Sequence, residues 1–165
     1  SHEGKPNAID KEEYLKSINA FFDKVEKNFK LPVIVAAHPK SGYQENDFKG
    51  RPIILYKTPE LLKYAELVLA HYSTSLIELV LQKKKVIFMY SKDYMNSDSR
   101  TVLETASEYA DMLQASLVDI KGDEEIEVRY NEKAYNNFID KYIICSEKRN
   151  YSNAELIIEF LKKLE

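Results

Sequence analysis

Imidazole and hydroxyl side chains follow two apolar segments of this sequence, where they could together bind a phosphate group. His38 comes directly after Val33–Ala37, and His71 comes directly after Leu67–Ala70. Three consecutive hydroxyl residues then precede an apolar helical pattern: Ser73, Thr74 and Ser75. One hydroxyl is enough to cap a helix, so two remain, and the free backbone N–H groups of a helix start attract anions. The combination predicts a phosphate-binding turn.

Neighbouring side chains extend this hypothesis to a nucleotide. Pro39 ends the first strand and holds His38 at its end, where the imidazole could donate to a phosphate oxygen or polarise a leaving group. Glu78 lies one turn further along and could accept hydrogen bonds from ribose hydroxyls, while His71 could line the same cleft. Three basic side chains could add positive charge: Lys40, Arg51 and Lys57. For most of these residues taken alone, a helix cap, a strand end or a solvated surface is the more ordinary interpretation.

Short apolar strands alternate with helical patterns along the chain, which is typical of a parallel sheet. The predicted strands cover residues 33–37, 53–56, 67–70, 86–90 and, at the sheet edge, 116–120. The predicted helices cover residues 11–29, 60–65, 74–82, 99–114, 132–144 and 153–164. We expect one α/β domain over 1–165: a Rossmann-like doubly wound parallel sheet with helices on both faces, a loose N-terminus at 1–9 and C-terminal helices at 130–165. Such sheets bind ligands outside the carboxyl ends of their strands.

Two of the predicted helices begin with a capping box, in which a cap residue and a carboxylate three positions later satisfy free N–H groups. The pairs are Asp10 with Glu13 and Ser152 with Glu155. The first of these helices opens the pattern, although a doubly wound unit ordinarily begins with a strand. We therefore expect a first strand and a partner half to lie upstream.

Charge and cysteine content narrow the function. The 165 residues carry a net charge of −3, which argues against a nucleic-acid partner, because such partners select a basic surface. Cys145 is the sole cysteine, so no intrachain disulfide forms, and we expect it to pack as a small apolar side chain. No apolar run approaches the roughly 20 residues of a transmembrane segment. We expect a cytoplasmic protein with no transmembrane segment.

Several catalytic motifs are missing from the sequence. It has no Walker-type glycine-rich loop and no G-x-G-x-x-G, which disfavours ATPases and dinucleotide-binding enzymes. The three histidines and one cysteine lack metal-ligand spacing, so no metal site is predicted. It also has neither a D-x-D pair of carboxylates nor a G-x-S-x-G hydrolase motif.

A combination of motifs over residues 12–95 indicates a family. An amphipathic helix and a strand ending in His-Pro are followed by a Thr-Pro-Glu-Leu-Leu helix start, the segment Ala-Glu-Leu-Val-Leu-Ala-His-Tyr-Ser-Thr-Ser and a Lys-Lys-Val-Ile-Phe strand. This pattern resembles the C-terminal, donor-binding half of a GT-B glycosyltransferase of the bacterial surface-carbohydrate and capsule group, with sialyltransferase-like and CDP-glycerol glycerophosphotransferase-like members. The resemblance implies that His38, Ser73 and Thr74 contact the donor phosphates, with His38 as the catalytic residue. It makes Ser75 and Glu78 neighbours of that site, and His71 joins the predicted nucleotide-binding residues because it precedes the same hydroxyl segment.

The resemblance also implies an activity and its partners. The enzyme would be a metal-independent transferase in surface-polysaccharide synthesis, its donor a CMP-, CDP- or UDP-linked substrate, with no separate cofactor. The sequence has no counterpart of the N-terminal acceptor-binding half, so the chain alone is expected to bind nucleotide weakly and to transfer nothing. Apolar surface left by that half could support a homodimer, and the enzyme could lie peripherally at the inner membrane.

Two other functions stay open from the sequence. A nucleotide-sugar epimerase can use the same two-domain architecture, with acidic residues supplied by the other half. A non-catalytic α/β binding or interaction module is the alternative of a different class. A phospho-receiver domain is disfavoured, because it would carry acidic residues at the strand ends, where this sequence has histidines and hydroxyls.

Overall fold

The computed structural model describes residues 10–71, 75–92, 100–144 and 150–162. It is a mixed α/β structure of parallel strands flanked by helices, which confirms the Rossmann-like fold class predicted from the sequence. The predicted loose segment at residues 1–9 lies outside the described residues, and so does Cys145.

The first element is helix α1 (Lys11–Phe29), which matches the predicted range. Asp10 caps it by accepting hydrogen bonds from the backbone N–H groups of Glu12 and Glu13. The Glu13 carboxylate contacts the Lys121 ammonium at 2.6 Å, which joins the first turn of α1 to a residue far along the chain. Lys30 ends the helix in the left-handed conformation, with φ at 58°.

Five strands follow, close to their predicted positions. They are β1 (Val35–Ala37), β2 (Ile53–Leu55), β3 (Leu67–Ala70), β4 (Lys85–Tyr90) and β5 (Ser116–Asp119). β1 pairs with β2, with Val35 opposite Ile53. β4 pairs with β3 on one side and with β5 on the other. All three pairings are parallel, as the alternation with helices predicts.

The remaining helices connect or follow these strands. They are α2 (Thr58–Tyr64), α3 (Leu76–Leu81), α4 (Arg100–Leu113), α5 (Glu132–Phe138) and α6 (Asn153–Lys162). The single helix predicted over 132–144 is instead α5 followed by a π-helical turn, Ile139–Ile143. The second capping box is confirmed: Ser152 N–H donates to the Glu155 carboxylate at 2.7 Å, and Glu155 N–H donates to the Ser152 hydroxyl at 3.3 Å.

Two apolar clusters cover opposite faces of the strands. On one face, α1 packs with Phe48, Ile87, Met89 and Ile120. On the other face, side chains of α3, α4 and α5 pack around Val86 and Phe88 of β4, which are almost completely buried. The alternating side chains of β4 therefore belong to both clusters, as expected for a strand covered on both faces.

None of the helices in the described part of the chain has the length and apolar character that crossing a membrane requires.

Candidate functional site

The carboxyl ends of the parallel strands carry the polar side chains that the sequence singled out. His38 follows β1 and His71 follows β3. Ser75, the first described residue after His71, directly precedes α3. Two further polar residues end the neighbouring strands: Ser91 is buried after β4, and Asp119 is the last residue of β5. The Asp119 carboxylate lies 3.7 Å from the Lys92 ammonium. This edge is where open α/β sheets bind their ligands.

His71 is held in place by both of its ring nitrogens. Nδ1 lies 2.9 Å from the backbone carbonyl oxygen of Met89, and Nε2 lies 2.9 Å from the Tyr14 hydroxyl. A carbonyl can only accept, so Nδ1 carries the proton and Nε2 of the neutral ring accepts from Tyr14. Burial lowers the pKa of His71, and the hydrogen bond to Met89 only partly opposes that effect. His71 is therefore a neutral link between β3, β4 and α1, with both nitrogens already engaged.

His38 has a different environment, because its side chain is exposed to solvent. Its Nδ1 accepts a hydrogen bond from the backbone N–H of Lys40 at 3.1 Å, and its carbonyl accepts from Ser41 N–H at 2.9 Å. In the neutral ring the proton is then on Nε2. His38 thus offers Nε2–H as a donor at the end of β1, in an orientation set by the turn over residues 38–41.

The hydroxyl turn is only partly within the described residues. Ser73 and Thr74, the strongest predicted phosphate ligands, lie outside them. Ser75 is the N-cap residue of α3 and its carbonyl accepts from Leu79 N–H at 3.0 Å, but its side chain makes no capping hydrogen bond. Glu78 is half-buried, and its carboxylate lies 3.5 Å from the Gln82 amide on the same helix.

Arg51 is the residue whose role the sequence did not reveal. Its guanidinium, 9% exposed, contacts the Glu26 carboxylate through Nε at 3.1 Å and Nη2 at 2.6 Å. Nη2 also contacts Asp23 at 2.5 Å, Nη1 donates to the Asn19 side-chain oxygen at 3.0 Å, and the group lies 5.5 Å from the Phe22 ring centre. Arg51 therefore joins the β1–β2 connection to α1 and is not a solvated surface charge. A basic residue beside a short strand gives no signal of such a network.

A cavity of about 530 Å³ lies along the β1–β2 connection. Its lining includes Pro39 and Ser41, which neighbour His38, together with Tyr43, Arg51 and Leu55. The Tyr43 ring packs edge-on against Phe48 at 4.8 Å, so one wall of the cavity is anchored in the core. The cavity is open to solvent, and its lining residue Pro39 directly follows His38. Within the described residues, no three His, Cys, Asp or Glu side chains group as a metal site would require.

The class that the fold and this site define is a Rossmann-like α/β protein with its polar residues at the carboxyl edge of parallel strands. No family model, curated protein or solved structure matches the chain.

Proposed function

We propose that this chain is a donor-nucleotide-binding domain, the C-terminal half of a GT-B-type glycosyltransferase or glycerophosphotransferase in surface-polysaccharide synthesis. The observation that supports it is the exposed His38 imidazole at the carboxyl end of a parallel strand, with a fixed Nε2–H donor beside a 530 Å³ cavity. In this proposal the donor phosphates lie outside the carboxyl ends of β1 and β3.

Each predicted site residue then has a defined task. His38 Nε2–H donates to a phosphate oxygen and stabilises the negative charge that develops on the leaving phosphate, which is the usual source of rate enhancement in such transfers. Ser73, Thr74 and Ser75 donate through their hydroxyls. Glu78 accepts from the ribose hydroxyls.

His71 has a positioning task in this proposal. Both of its nitrogens are engaged within the fold, so it does not donate to the ligand. It fixes the end of β3 against α1 and β4, and thereby fixes the point from which the chain continues towards Ser73 and Thr74. The ligand would be CMP, CDP or UDP, each linked to the group that is transferred.

Calorimetric titration with CMP, CDP, UMP and UDP tests the proposal. We expect saturable binding of one nucleotide, weakened about 10- to 100-fold by His38→Ala, since a hydrogen bond to a charged group contributes about 1.5–3 kcal/mol. The double variant Ser73→Ala/Thr74→Ala is expected to abolish binding. Ser17→Ala is the matched control, because that hydroxyl only donates to the Glu13 carbonyl on α1. If none of the four nucleotides binds at millimolar concentration, the proposal is wrong.

The proposal leaves the nucleotide-sugar epimerase half and the non-catalytic module as competing functions. An epimerase half binds UDP in the same experiment, but its partner half returns the sugar on the nucleotide instead of transferring it. A non-catalytic interaction module binds none of the four.

A further inference from the structure

The parallel strands share a core without sharing one hydrogen-bond ladder. Among the described strands, β1 pairs with β2 alone and β3 pairs with β4 alone, so β1 and β3 each end a sheet. Exposure reflects this break. Val86 and Ile87 of β4 are fully buried, whereas all four residues of β3 are partly exposed and Ile34, directly before β1, is 47% exposed.

Helix α1 covers the same face of both sheets. Its Phe21 belongs to one cluster with Val35 of β1 and Leu69 of β3. Tyr14, in the first turn of α1, contacts His71 at the carboxyl end of β3. The two sheets therefore lie side by side under one helix, and the N-terminus of that helix lies at the carboxyl end of β3.

The handedness of the connections orders the strands. The β2–α2–β3 connection passes over the face opposite α1, because Leu62 of α2 lies in the cluster with α3 and α4. The β1–β2 connection passes over the α1 face, because its Phe48 packs there. Connections between parallel strands are right-handed in about 98% of cases. The only order that satisfies this rule on both faces is β2, β1, β3, β4, β5. The free edges of β1 and β3 then face each other across a gap that none of the described strands occupies.

We propose that this gap is filled by an apolar β-strand that runs parallel to β1 and β3 and whose chain continues, through a connecting segment, into α1. The same handedness rule carries the argument. A strand that enters β1 through α1, on the α1 face, must lie on the side of β1 away from β2, which is the gap. The position of Tyr14 beside His71 agrees, because the α1 N-terminus is where a chain leaving the carboxyl end of that strand would arrive. This inference does not depend on nucleotide binding.

The two edges define the chemistry of the strand. Val35 N–H donates to the Pro52 carbonyl of the β2 side at 2.9 Å, and neighbouring residues of a strand point their N–H and C=O groups in opposite directions. The N–H and C=O groups of Ala36 therefore point into the gap. Alternate side chains of the proposed strand point towards α1 and towards the opposite apolar cluster. Both sets must be apolar, as in any strand that is covered on both faces. The occupant is a short run of β-branched residues that adds to two edges at once.

A strand joined ahead of the chain tests this inference. We would place Thr-Val-Ile-Val-Thr before Ser1, so that residues 1–9 connect it to α1, and measure amide hydrogen exchange by mass spectrometry in segments containing β1 and β3. Pairing at both edges is expected to slow exchange there by at least about 10-fold and to raise the Tm. A matched extension, Thr-Asp-Pro-Asp-Thr, is expected to change neither.

Two proline variants show which edge is used. Ala36→Pro removes the N–H that points into the gap, so it should abolish the strand-dependent protection and leave the Tm of the unextended chain nearly unchanged. Ala37→Pro removes a donor from the β1–β2 ladder and should lower the Tm of both chains. Unchanged exchange in the extended chain would overturn the inference, and so would β1 and β3 edges already protected in the unextended chain. Protection of β1 and β3 that grows with the concentration of the unextended chain would show that a second copy fills the gap. That result would overturn the inference that the strand in the gap continues into α1 of the same chain.

Discussion

Replacing Arg51 should destabilise the fold more than any surface charge does. The guanidinium is 9% exposed, and its two carboxylate partners, Glu26 and Asp23, are 32% and 49% exposed. Breaking a fully buried ion pair costs about 3–5 kcal/mol, whereas an exposed pair contributes about 0.2–1 kcal/mol. The Arg51 network lies between these limits. We expect Arg51→Met to cost about 2–3 kcal/mol, because the Asn19 side-chain oxygen and the Glu26 carboxylate lose their hydrogen bonds from the guanidinium.

The assay is thermal unfolding followed by circular dichroism. For a chain of this length, 1 kcal/mol shifts the Tm by about 2–4 °C, so Arg51→Met should unfold about 5–10 °C below the natural chain at pH 7. Arg129→Met is the matched control. Arg129 and Glu127 form the same kind of pair at 3.1 Å but are 67% and 70% exposed, so the expected shift is below about 4 °C.

Acid should remove the difference between the natural chain and Arg51→Met. The hydrogen bond from Arg51 lowers the pKa of Glu26, although burial opposes it, and hydrogen bonds from Lys49 and then Arg51 lower the pKa of Asp23. A carboxylate with a lowered pKa stabilises the folded state above its unfolded pKa of about 4, and this contribution is lost as the pH falls through the folded value. A Tm difference as large at pH 3 as at pH 7 would refute the electrostatic explanation and leave only lost packing on Phe22.

Two further predictions concern His71 and Tyr135. Burial lowers the pKa of His71, so as the pH drops below about 6.5 the unfolded chain binds a proton before the folded chain does, and the stability of the fold decreases. His71→Gln should therefore flatten the profile of Tm against pH between pH 7 and pH 5. An unchanged slope over that range would contradict this assignment. The Tyr135 ring is fully buried, and its hydroxyl donates to the Lys84 carbonyl at 2.8 Å. Tyr135→Phe should therefore lower the free energy of unfolding, measured in urea, by about 1–2 kcal/mol. A decrease below about 0.3 kcal/mol would mean that water replaces the hydroxyl as the donor to Lys84.

The sequence predicts the elements well where local signals agree. The α1 range follows from apolar residues at helical spacing and from the Asp10 cap, and both are present in the structure. β3 is predicted at Leu67–Ala70 because a short apolar run stands between two polar segments, and the structure has it at the same residues. The π-helical turn after α5 is not predictable in this way, because its hydrogen-bond pattern changes over Ile139–Ile143 without any change in apolar spacing.

Long-range partners could not be predicted from local pattern. Arg51 contacts residues 25 to 32 positions earlier in the chain, and the contact exists only because the β1–β2 connection folds back onto α1. From the sequence, His71 could either line the cleft or pack its ring at the end of its strand, and no local pattern indicates that the ring bonds to Tyr14, 57 positions away. Periodicity and capping report on neighbours within a few residues, so they carry no information about such pairs.

The gap between β1 and β3 lies next to the candidate site, so we expect strand pairing in the gap and ligand binding at the site to be energetically coupled. His38 ends β1 and His71 ends β3, so these residues stand at the carboxyl ends of the two strands that border the gap. A strand in the gap would fix both ends relative to each other before a ligand arrives. The strand would then bear the entropic cost of ordering these two strand ends, so the ligand would not bear it. Strand pairing and ligand binding would therefore favour each other. We expect nucleotide binding to be tighter in the chain extended by Thr-Val-Ile-Val-Thr than in the unextended chain. Ala36→Pro should remove that gain, whereas His38→Ala should weaken binding in both chains. Equal affinity in the two chains would mean that the strand in the gap and the nucleotide site are not coupled.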